Sequence, residues 1–397
     1  MAYGFTLTDV AFLRSPAGAA ALAAAAALPL TPSSRLSDVA ALRRVVGEWA
    51  AAVLETAVLR RRAVTKLDSG AEWLFTDDAL QQATPSAVAA HRAGRLAGRD
   101  VHDVTCSVGA DLAALITVAR RALGSDVDVV RLAMAAHNVP GAALVRADAV
   151  APVSRGAVLL ADPARRDRAG RRRWHPSDLM PPLDELVAAA AGRDLVVKAA
   201  PGLDRGAVPW AAEVELVSLD GGVREAALWS PGLATPGVGC RATVLSSRGP
   251  GWTVTDADPD DAAVREPGEW LVDPDGAVVR AGLVCHYAAR HGLGQLDERI
   301  AYLTGDAPPP GTRAFRVLEH GRYTEKALRA VLRRHEAGAV EILVRGLDVD
   351  PNTLRPRLRL AGRASLTVVL TRIGRTPTAF VCRAVTAAPA AAAGWPH

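Results

Sequence analysis

The sequence predicts an α/β protein in which helices cover both faces of a mostly parallel sheet. From about residue 101, short apolar stretches alternate with amphipathic stretches that have helical spacing. A segment with only helical patterns precedes this alternation, and a smaller mixed pattern follows it. At 397 residues, the chain is long enough for two or three domains, each with a core of its own.

Residues 1–65 are predicted to form an N-terminal helical region, because apolar residues recur there at helical spacing behind serines and threonines that can cap helices. Ser15 and Pro16 form a favourable helix start, with a capping hydroxyl followed by proline in the first turn. We therefore interpret the alanine-rich stretch 17–30 as a helix and not as the core of a signal peptide. No stretch of the sequence is long and apolar enough to predict a membrane span.

Residues 66–250 are predicted to form the main α/β domain. After a helix that begins near Thr84 and Pro85, strands are predicted at VHDVTC, SDVD, AALVRADA, GAVLLADPARR and DLVVKAAPG, and helices at ADLAALITVARRAL, VVRLAMAAHNV and LDELVAAAAG. The turn signal at residues 220–222 indicates a hairpin between EVELVSL and GVREAALW. One more strand is expected at CRATVLSS, so the sheet should end with antiparallel pairing.

The C-terminal part is predicted to form a second, smaller domain. Residues 251–268 are rich in proline, glycine and aspartate and are expected to form a linker. A helical stretch, AGLVCHYAARHGL, lies within residues 269–386, and the rest of that range alternates β, α, β, α, β, β, which is typical of an α+β domain. Residues 387–397 are expected to be disordered because they are mostly alanine and proline.

Composition narrows the class of protein. Only three of the 47 basic residues are lysine, and the net charge of +5 permits an anionic partner without requiring one. The four cysteines are far apart in sequence, and there is no CxxC or HxxxH motif, so we expect no zinc site and no disulfide framework. This cysteine usage fits a reduced, cytoplasmic setting.

The stretch DVTCSVGADLAAL, residues 103–115, has the pattern of a cofactor loop between a strand and a helix. Thr105 and Ser107 stand where glycines are usual in such loops, and Gly109 remains. Their side chains argue against a dinucleotide, whose pyrophosphate needs the tightest turn. They are compatible with S-adenosylmethionine, which has no phosphate. The loop, which begins at Asp103, therefore favours S-adenosylmethionine over a dinucleotide.

Two further aspartates follow predicted strands. Asp126 lies 23 residues after Asp103, close to the spacing expected for a carboxylate that accepts the ribose hydroxyls. Asp148 ends the next strand, where its carboxylate can accept the adenine amino group. Because the carboxyl ends of parallel strands meet at one edge of the sheet, the three aspartates should line one ligand site.

Asp162 and Pro163 follow the fourth predicted strand. An acidic residue followed by proline at this point recurs in methyltransferases that act on planar nitrogens. There the carboxylate and a backbone carbonyl accept hydrogen bonds from the target amine and so orient its lone pair.

These motifs resemble the class I S-adenosylmethionine-dependent methyltransferases, and especially trimethylguanosine synthase and its relatives. KLDSG, TPSAVAAHRAGRL, DVTCSVGAD, GSDVD…RLAMAAHN and ADP occur in the order of that family. The resemblance is closer still to bacterial enzymes of this group with a C-terminal THUMP-like domain, through FRVLEHGRYTEKALRAVLRRHEAGAVEILVRG and LRLAGRASLTVVLTRIG. It implies a Rossmann-like seven-stranded methyltransferase sheet, and an RNA substrate, since THUMP domains bind RNA.

The resemblance also implies roles for individual residues. The implied cofactor-binding residues are Thr84, Asp103, Thr105, Ser107, Gly109, Asp126 and Asp148. Pro85 would help to open the helix that covers the cofactor. The residues that would act on the target are Asp162, Pro163 and Arg165.

The motif after Asp162 departs from the amine methyltransferases. They usually continue with proline and an aromatic residue that stacks on the base, whereas this chain has Ala164 and Arg165. Trp174 or Trp73 could supply the stacking ring. DPAR also resembles a loop of the RNA 5-methyluridine methyltransferases. Those enzymes need a nucleophilic cysteine on the following strand, which here reads VVKAAPG, so we reject that chemistry.

Two groups of arginines are candidate RNA contacts. Residues 165–173 contain six arginines next to Trp174, and a second group in the C-terminal domain comprises Arg345, Arg355, Arg357, Arg359 and Arg363. The sequence thus favours a methyltransferase that acts on a base of structured RNA. Two alternatives stay open: a methyltransferase for a small molecule or a protein, and an inactive RNA-binding module that kept the fold.

Overall fold

The computed structural model describes residues 3–165 and 179–385. Two compact units divide the chain, Met1–Ala212 with Ala226–Ala234 and Glu213–Glu225 with Thr235–His397. The tail predicted to be disordered lies outside the described residues, as does most of the arginine-rich loop that begins at residue 165.

The first unit begins with the predicted helices. They are α1 (Leu7–Leu13), α2 (Pro16–Ala26), α3 (Arg35–Val46) and α4 (Ala50–Ala63), with a short 3-10 turn at Gly47–Trp49. Helix α2 starts as predicted, because the Ser15 hydroxyl accepts a hydrogen bond from the backbone N–H of Gly18 at 3.1 Å and Pro16 occupies the first position. Buried side chains of this region, among them Leu54 and Leu59, share a core with Phe75. The N-terminal helical extension is therefore confirmed.

The parallel sheet of the first unit follows. Its strands are β1 (Asp100–Asp103), β2 (Arg121–Asp126), β3 (Ala143–Arg146), β4 (Val158–Ala161) and β7 (Leu195–Ala199), and the order across the sheet is β7-β4-β1-β2-β3. The helices around it are α5 (Asp77–Gln82), α6 (Ser86–Arg95), α7 (Ala110–Val118), α8 (Val129–Asn138) and α9 (Leu183–Ala189), and a 3-10 turn lies at Arg205–Ala207. Two short strands, β5 (Ala164–Arg165) and β6 (Leu179–Met180), pair antiparallel. In the central register Asp103 lies opposite Gly124 and Leu160, so the carboxyl ends of β1, β2 and β4 meet at one edge.

The boundary between α7 and β2 differs from the sequence prediction. The helix predicted over residues 110–123 ends at Val118, and β2 already begins at Arg121. Alanine, arginine and leucine favour helices, but here residues 121–124 pair with residues 100–103 of β1. The interactions of the sheet thus override the local helix preference.

The second unit starts with the strand β8 (Glu213–Leu219). Strand β9 (Gly222–Trp229) contributes its first four residues to this unit and its last four to the first unit, where they pair antiparallel with β7. Strand β10 (Cys240–Ser246) is parallel to β8 and antiparallel to β11 (Gly249–Thr255). The linker predicted over residues 251–268 is therefore wrong in its first five residues, which belong to β11. Strand pairing with β10 outweighs the glycine and proline content there.

The rest of the second unit contains a seven-stranded sheet. Its strands are β12 (Trp270–Asp273), β13 (Gly294–Asp297), β14 (Ile300–Gly305), β15 (Arg313–Arg322), β16 (Ala337–Val344), β17 (Ala364–Ile373) and β18 (Thr376–Val385), in the order β13-β14-β12-β15-β18-β17-β16. Its helices are α10 (Gly276–Ala281), α11 (Val284–Arg290), α12 (Glu325–Arg334) and α13 (Pro351–Arg357). The predicted β, α, β, α, β, β pattern is confirmed from β15 onward. Strands β12, β13 and β14 were not predicted from the sequence.

Candidate active site

A cavity of about 420 Å³ opens at the carboxyl edge of the parallel sheet in the first unit. Seven of the predicted site residues line it: Thr84, Asp103, Thr105, Ser107, Asp126, Asp148 and Asp162. Gly109 and Pro163 lie next to lining residues in sequence, and both are buried. Arg165 contributes backbone to β5, and its side chain lies outside what the structure describes.

The loop between β1 and α7 turns tightly although it lacks most of the usual glycines. Ser107 has a φ of 49°, in the left-handed region that favours glycine, and its backbone N–H donates to Asp126 Oδ2 at 3.0 Å. Gly109 has a φ of 92° and caps α7, and a Cβ at this position would lie 2.8 Å from Val139 Cγ2. Glycine is therefore required at residue 109, whereas serine is accommodated at residue 107.

Asp126 and Asp148 lie at the ends of neighbouring strands. The second carboxylate oxygen of Asp126 accepts from the backbone N–H of Asp128 at 2.8 Å, and so this side chain is held by two loops. Asp148 is exposed, and its carboxylate accepts a hydrogen bond from the backbone N–H of Val150 at 3.1 Å. Both carboxylates line the cavity, where they can accept hydrogen bonds from hydroxyl or amino groups of a ligand.

Asp103 is the most deeply buried carboxyl of the predicted set, with 3% of its surface exposed. Burial, reinforced by the nearby Asp111 charge, raises the pKa of Asp103 well above its ordinary value. The hydrogen bond that it accepts from the backbone N–H of Thr105, at 3.2 Å, acts in the opposite direction and is outweighed.

A buried polar network next to the cavity was missed in the sequence analysis. Asp111, in the first turn of α7, accepts hydrogen bonds from Arg92 and, at 2.7 Å, from Thr84. Lys198, on β7, lies 3.4 Å from Asp111 and also donates to Thr84. Burial alone would raise the pKa of Asp111, but the charges of Arg92 and Lys198 outweigh it and lower the pKa to about 2.

Lys198 also reaches Asp162. Its ammonium group donates to Asp162 Oδ2, and the backbone N–H of Asp162 donates to Thr105 Oγ1 at 2.7 Å. The Asp162 side chain keeps 39% of its surface exposed, whereas that of Lys198 keeps 7%. The Asp162 carboxylate is thus held by the buried Lys198 and remains accessible from the cavity. One signal for Lys198 was available: a lysine that follows three apolar residues of a buried strand is unusual unless it is paired.

Trp73 does not supply the stacking ring considered above. It is 8% exposed and belongs to the core shared with the N-terminal helices, because its indole packs against Phe75 at a centroid distance of 6.1 Å. Trp174 lies outside the described residues.

The second group of arginines is only partly a solvent-facing surface. Arg345 is half-buried, ion-paired with Asp273 at 3.3 Å, and lies over the ring of Tyr302. Arg357 is ion-paired with Glu325 at 2.6 Å. Arg345 is therefore already engaged by a carboxylate and an aromatic ring of its own unit, and its place in an RNA-binding surface stays a prediction. Arg355, Arg359 and Arg363 are exposed.

Residues 3–165 and 179–385 hold neither a metal-binding cluster nor a membrane-spanning helix. No cluster of three or more histidine, cysteine, aspartate or glutamate side chains in these ranges could hold a metal ion. No helix there has the length and apolar character needed to cross a membrane.

Known proteins share this architecture. A family model described as THUMP domain-like matches residues 312–384, and one described as a domain of unknown function matches residues 6–63. A crystal structure from Porphyromonas gingivalis W83, described provisionally as a methyltransferase, superposes with a TM-score of 0.74 at 18% identity. It covers 96% of this chain and 100% of that one, and so shows the shared fold.

Sequence relatives identify the family. Two proteins from Mycobacterium tuberculosis, strains CDC 1551 and H37Rv, are each described as an uncharacterized S-adenosylmethionine-dependent methyltransferase. Each is 54% identical to this chain over 359 residues, covering 86% of this chain and 99% of the relative. With this identity over nearly the whole relative, the chain belongs to the S-adenosylmethionine-dependent methyltransferases.

Proposed function

We propose that this methyltransferase transfers a methyl group to a base nitrogen of RNA, with Asp162 orienting the nitrogen. The observation that carries the proposal is the Asp162 carboxylate, anchored by Lys198 and open toward the cavity. A carboxylate fixed in this way at a strand end can accept a hydrogen bond from an amino group and so hold its lone pair in one direction.

The residues of the cavity fit S-adenosylmethionine. The volume of about 420 Å³ lies within the usual range for a pocket of this kind. In the proposal, Asp126 accepts the ribose hydroxyls, Asp148 accepts the adenine amino group, and Thr84, Asp103, Thr105, Ser107 and Gly109 shape the site for the methionine part. The left-handed Ser107 supports this assignment, because it lets the loop turn without the glycine that a pyrophosphate would require.

Methyl transfer requires little of the protein beyond correct placement of the target nitrogen. S-adenosylmethionine, when bound, would supply a methyl group on a sulfonium, from which the neutral thioether S-adenosylhomocysteine leaves readily, and the proton that the methylated nitrogen loses would pass to solvent. Asp162 accepts from the target amine, Lys198 holds the carboxylate, and Pro163 limits the backbone that follows. Arg165 is proposed to contact the phosphate or the base edge of the substrate.

RNA is proposed as the substrate on two grounds. The THUMP domain-like match covers residues 312–384, and domains of the THUMP type bind RNA. The chain also carries an excess of positive charge, almost all of it on arginine, whose planar fork suits phosphate. The arginines of residues 165–173 follow Asp162 closely in sequence and are proposed to contact the RNA.

A fractionated cell extract tests the substrate class. The protein is incubated with tritiated S-adenosylmethionine and with extract from cells that lack this gene, and RNA, protein and small molecules are separated afterwards. Label in RNA that ribonuclease releases as a methylated nucleoside is the expected result. Label in the protein or small-molecule fraction would move the substrate to that class. Cofactor binding without label in any fraction would favour the inactive binding module.

A further inference from the structure

A groove of about 560 Å³ lies in the second unit between helix α12 and the loop that follows α13. We call it the arginine groove, because four arginines line it: Arg329, Arg333, Arg359 and Arg363. The only carboxylate among its lining residues is that of Glu336. The lining therefore carries a formal excess of positive charge.

Neighbouring arginines are neutralised, whereas those of the groove are not. Arg334 is ion-paired with Glu319 at 2.5 Å, and Arg357 with Glu325 at 2.6 Å. Across residues 3–165 and 179–385, no ion pair is found for Arg333, Arg359 or Arg363, all of which are exposed. The nearby carboxylates of Glu319 and Glu325 are thus used elsewhere, and the groove keeps a formal excess of positive charge over Glu336.

The floor of the groove is fixed by close backbone packing. Gly362 lies so near the carbonyl of Glu336 that a Cβ would be 1.8 Å from that oxygen. Arg359 has a φ of 52°, a left-handed conformation that is unfavourable for arginine unless the surroundings hold it. The guanidinium groups of residues 359 and 363 thus extend from a well-packed loop.

We propose that the arginine groove binds consecutive phosphates of the RNA substrate. Arginine forks form paired hydrogen bonds with phosphate oxygens, and a concave site with several forks suits a chain of phosphates better than a single ion. This inference rests on the proposed RNA substrate. It adds Arg329 and Arg333 of α12 to two of the arginines that the sequence singled out, Arg359 and Arg363.

RNA binding at several salt concentrations tests the groove. Fluorescence anisotropy of a labelled, mixed-sequence 20-nucleotide single-stranded RNA is measured with the full-length wild-type protein and with Arg359→Ala/Arg363→Ala. The matched control is Arg322→Ala/Arg375→Ala, which removes the same charge from two exposed arginines of the same unit outside the groove. Circular dichroism checks that both variants are folded.

The groove variant should bind this RNA about tenfold more weakly near 0.1 M salt, while the control stays within about twofold of wild type. The slope of log Kd against log salt should fall by about 1.4 in the groove variant, since each lost phosphate contact contributes about 0.7. Equal affinity and slope in the two variants would overturn the proposal.

Two further outcomes have separate meanings. If the wild-type protein binds and methylates RNA while the groove variant binds it normally, the groove assignment alone fails. If the wild-type protein binds no RNA, the proposed RNA substrate fails and the groove assignment falls with it. Binding of inorganic pyrophosphate that Arg359→Ala/Arg363→Ala abolishes, without any loss of RNA affinity, would assign the groove to a small anion instead.

Discussion

Ser107 and Gly109 occupy left-handed positions in the same loop, yet only one of them is glycine. The difference lies in the neighbours. A Cβ at residue 109 would collide with Val139, whereas the backbone N–H of Ser107 is held by the Asp126 carboxylate. A missing glycine in a loop of this kind therefore does not remove the turn, provided that a side chain from the next strand fixes the backbone.

Asp126→Ala should weaken S-adenosylmethionine binding by about 1–3 kcal/mol, because ribose hydroxyls would lose their acceptor. The variant also removes the hydrogen bond to the backbone of Ser107, and so Asp126→Asn serves as a milder second variant. Isothermal titration calorimetry measures both. Asp100→Ala is the control, because Asp100 starts β1 and is ion-paired with Arg120. Wild-type affinity in Asp126→Ala would argue against the assigned role.

Lys198→Met should slow methyl transfer about 10-fold to 100-fold, which corresponds to the loss of one charged hydrogen bond to Asp162. Its S-adenosylmethionine affinity should stay within about twofold, because Asp126 and Asp148 remain. Asp111 keeps Arg92 as a partner, so the variant should fold. The same substitution at the exposed Lys326 is the control. A loss of cofactor affinity without slower transfer would show that Lys198 supports the cofactor and not Asp162.

At the scale of the element, β1 carries both Asp103 and the buried His102. The His102 ring is hydrogen-bonded to the hydroxyls of Ser154 and Ser125, each at 2.9 Å. Burial, assisted by the Arg193 charge, lowers the pKa of His102 to about 4. The unfolded chain therefore takes up this proton at a higher pH than the folded protein does.

The stabilising contribution of His102 is complete above about pH 6.5 and is lost as the pH falls toward 4. Between pH 7 and pH 5, the wild-type free energy of unfolding should fall by about 2 kcal/mol more than that of His102→Gln. Urea unfolding at both pH values measures this. Identical pH dependence in the two proteins would mean that His102 titrates normally in the folded state.

Strands and helices with a strong apolar pattern could be predicted from the sequence. Strands that depend on pairing with a neighbouring strand could not. The strand end that carries Asp162 follows a clear apolar stretch, and Asp126 was predicted from its spacing of 23 residues after Asp103. Strand β2 looks helical in its first residues, and its identity depends on pairing with β1. Lys198 could not be placed, because its partners Thr84 and Asp162 are 114 and 36 residues away in sequence.

At the scale of the whole molecule, one family model matches residues 6–63 and another matches residues 312–384. The residues of the candidate site lie between these two ranges in sequence. Family membership and the C-terminal pattern from β15 onward followed from sequence. The short strands β12 to β14 did not, because each has at most six residues and lacks a distinctive alternation. The sequence also did not reveal the ion pair between Arg345 and Asp273, since it does not show which arginines find carboxylates.

The central claim is that Asp162 orients the nitrogen that receives the methyl group. Single-turnover transfer from tritiated S-adenosylmethionine to RNA from cells lacking this gene tests it most directly, with cofactor affinity measured on the same samples. Asp162→Ala should bind the cofactor within about twofold of wild type and transfer the methyl group about 100-fold more slowly. Transfer by Asp162→Ala at the wild-type rate would contradict the account.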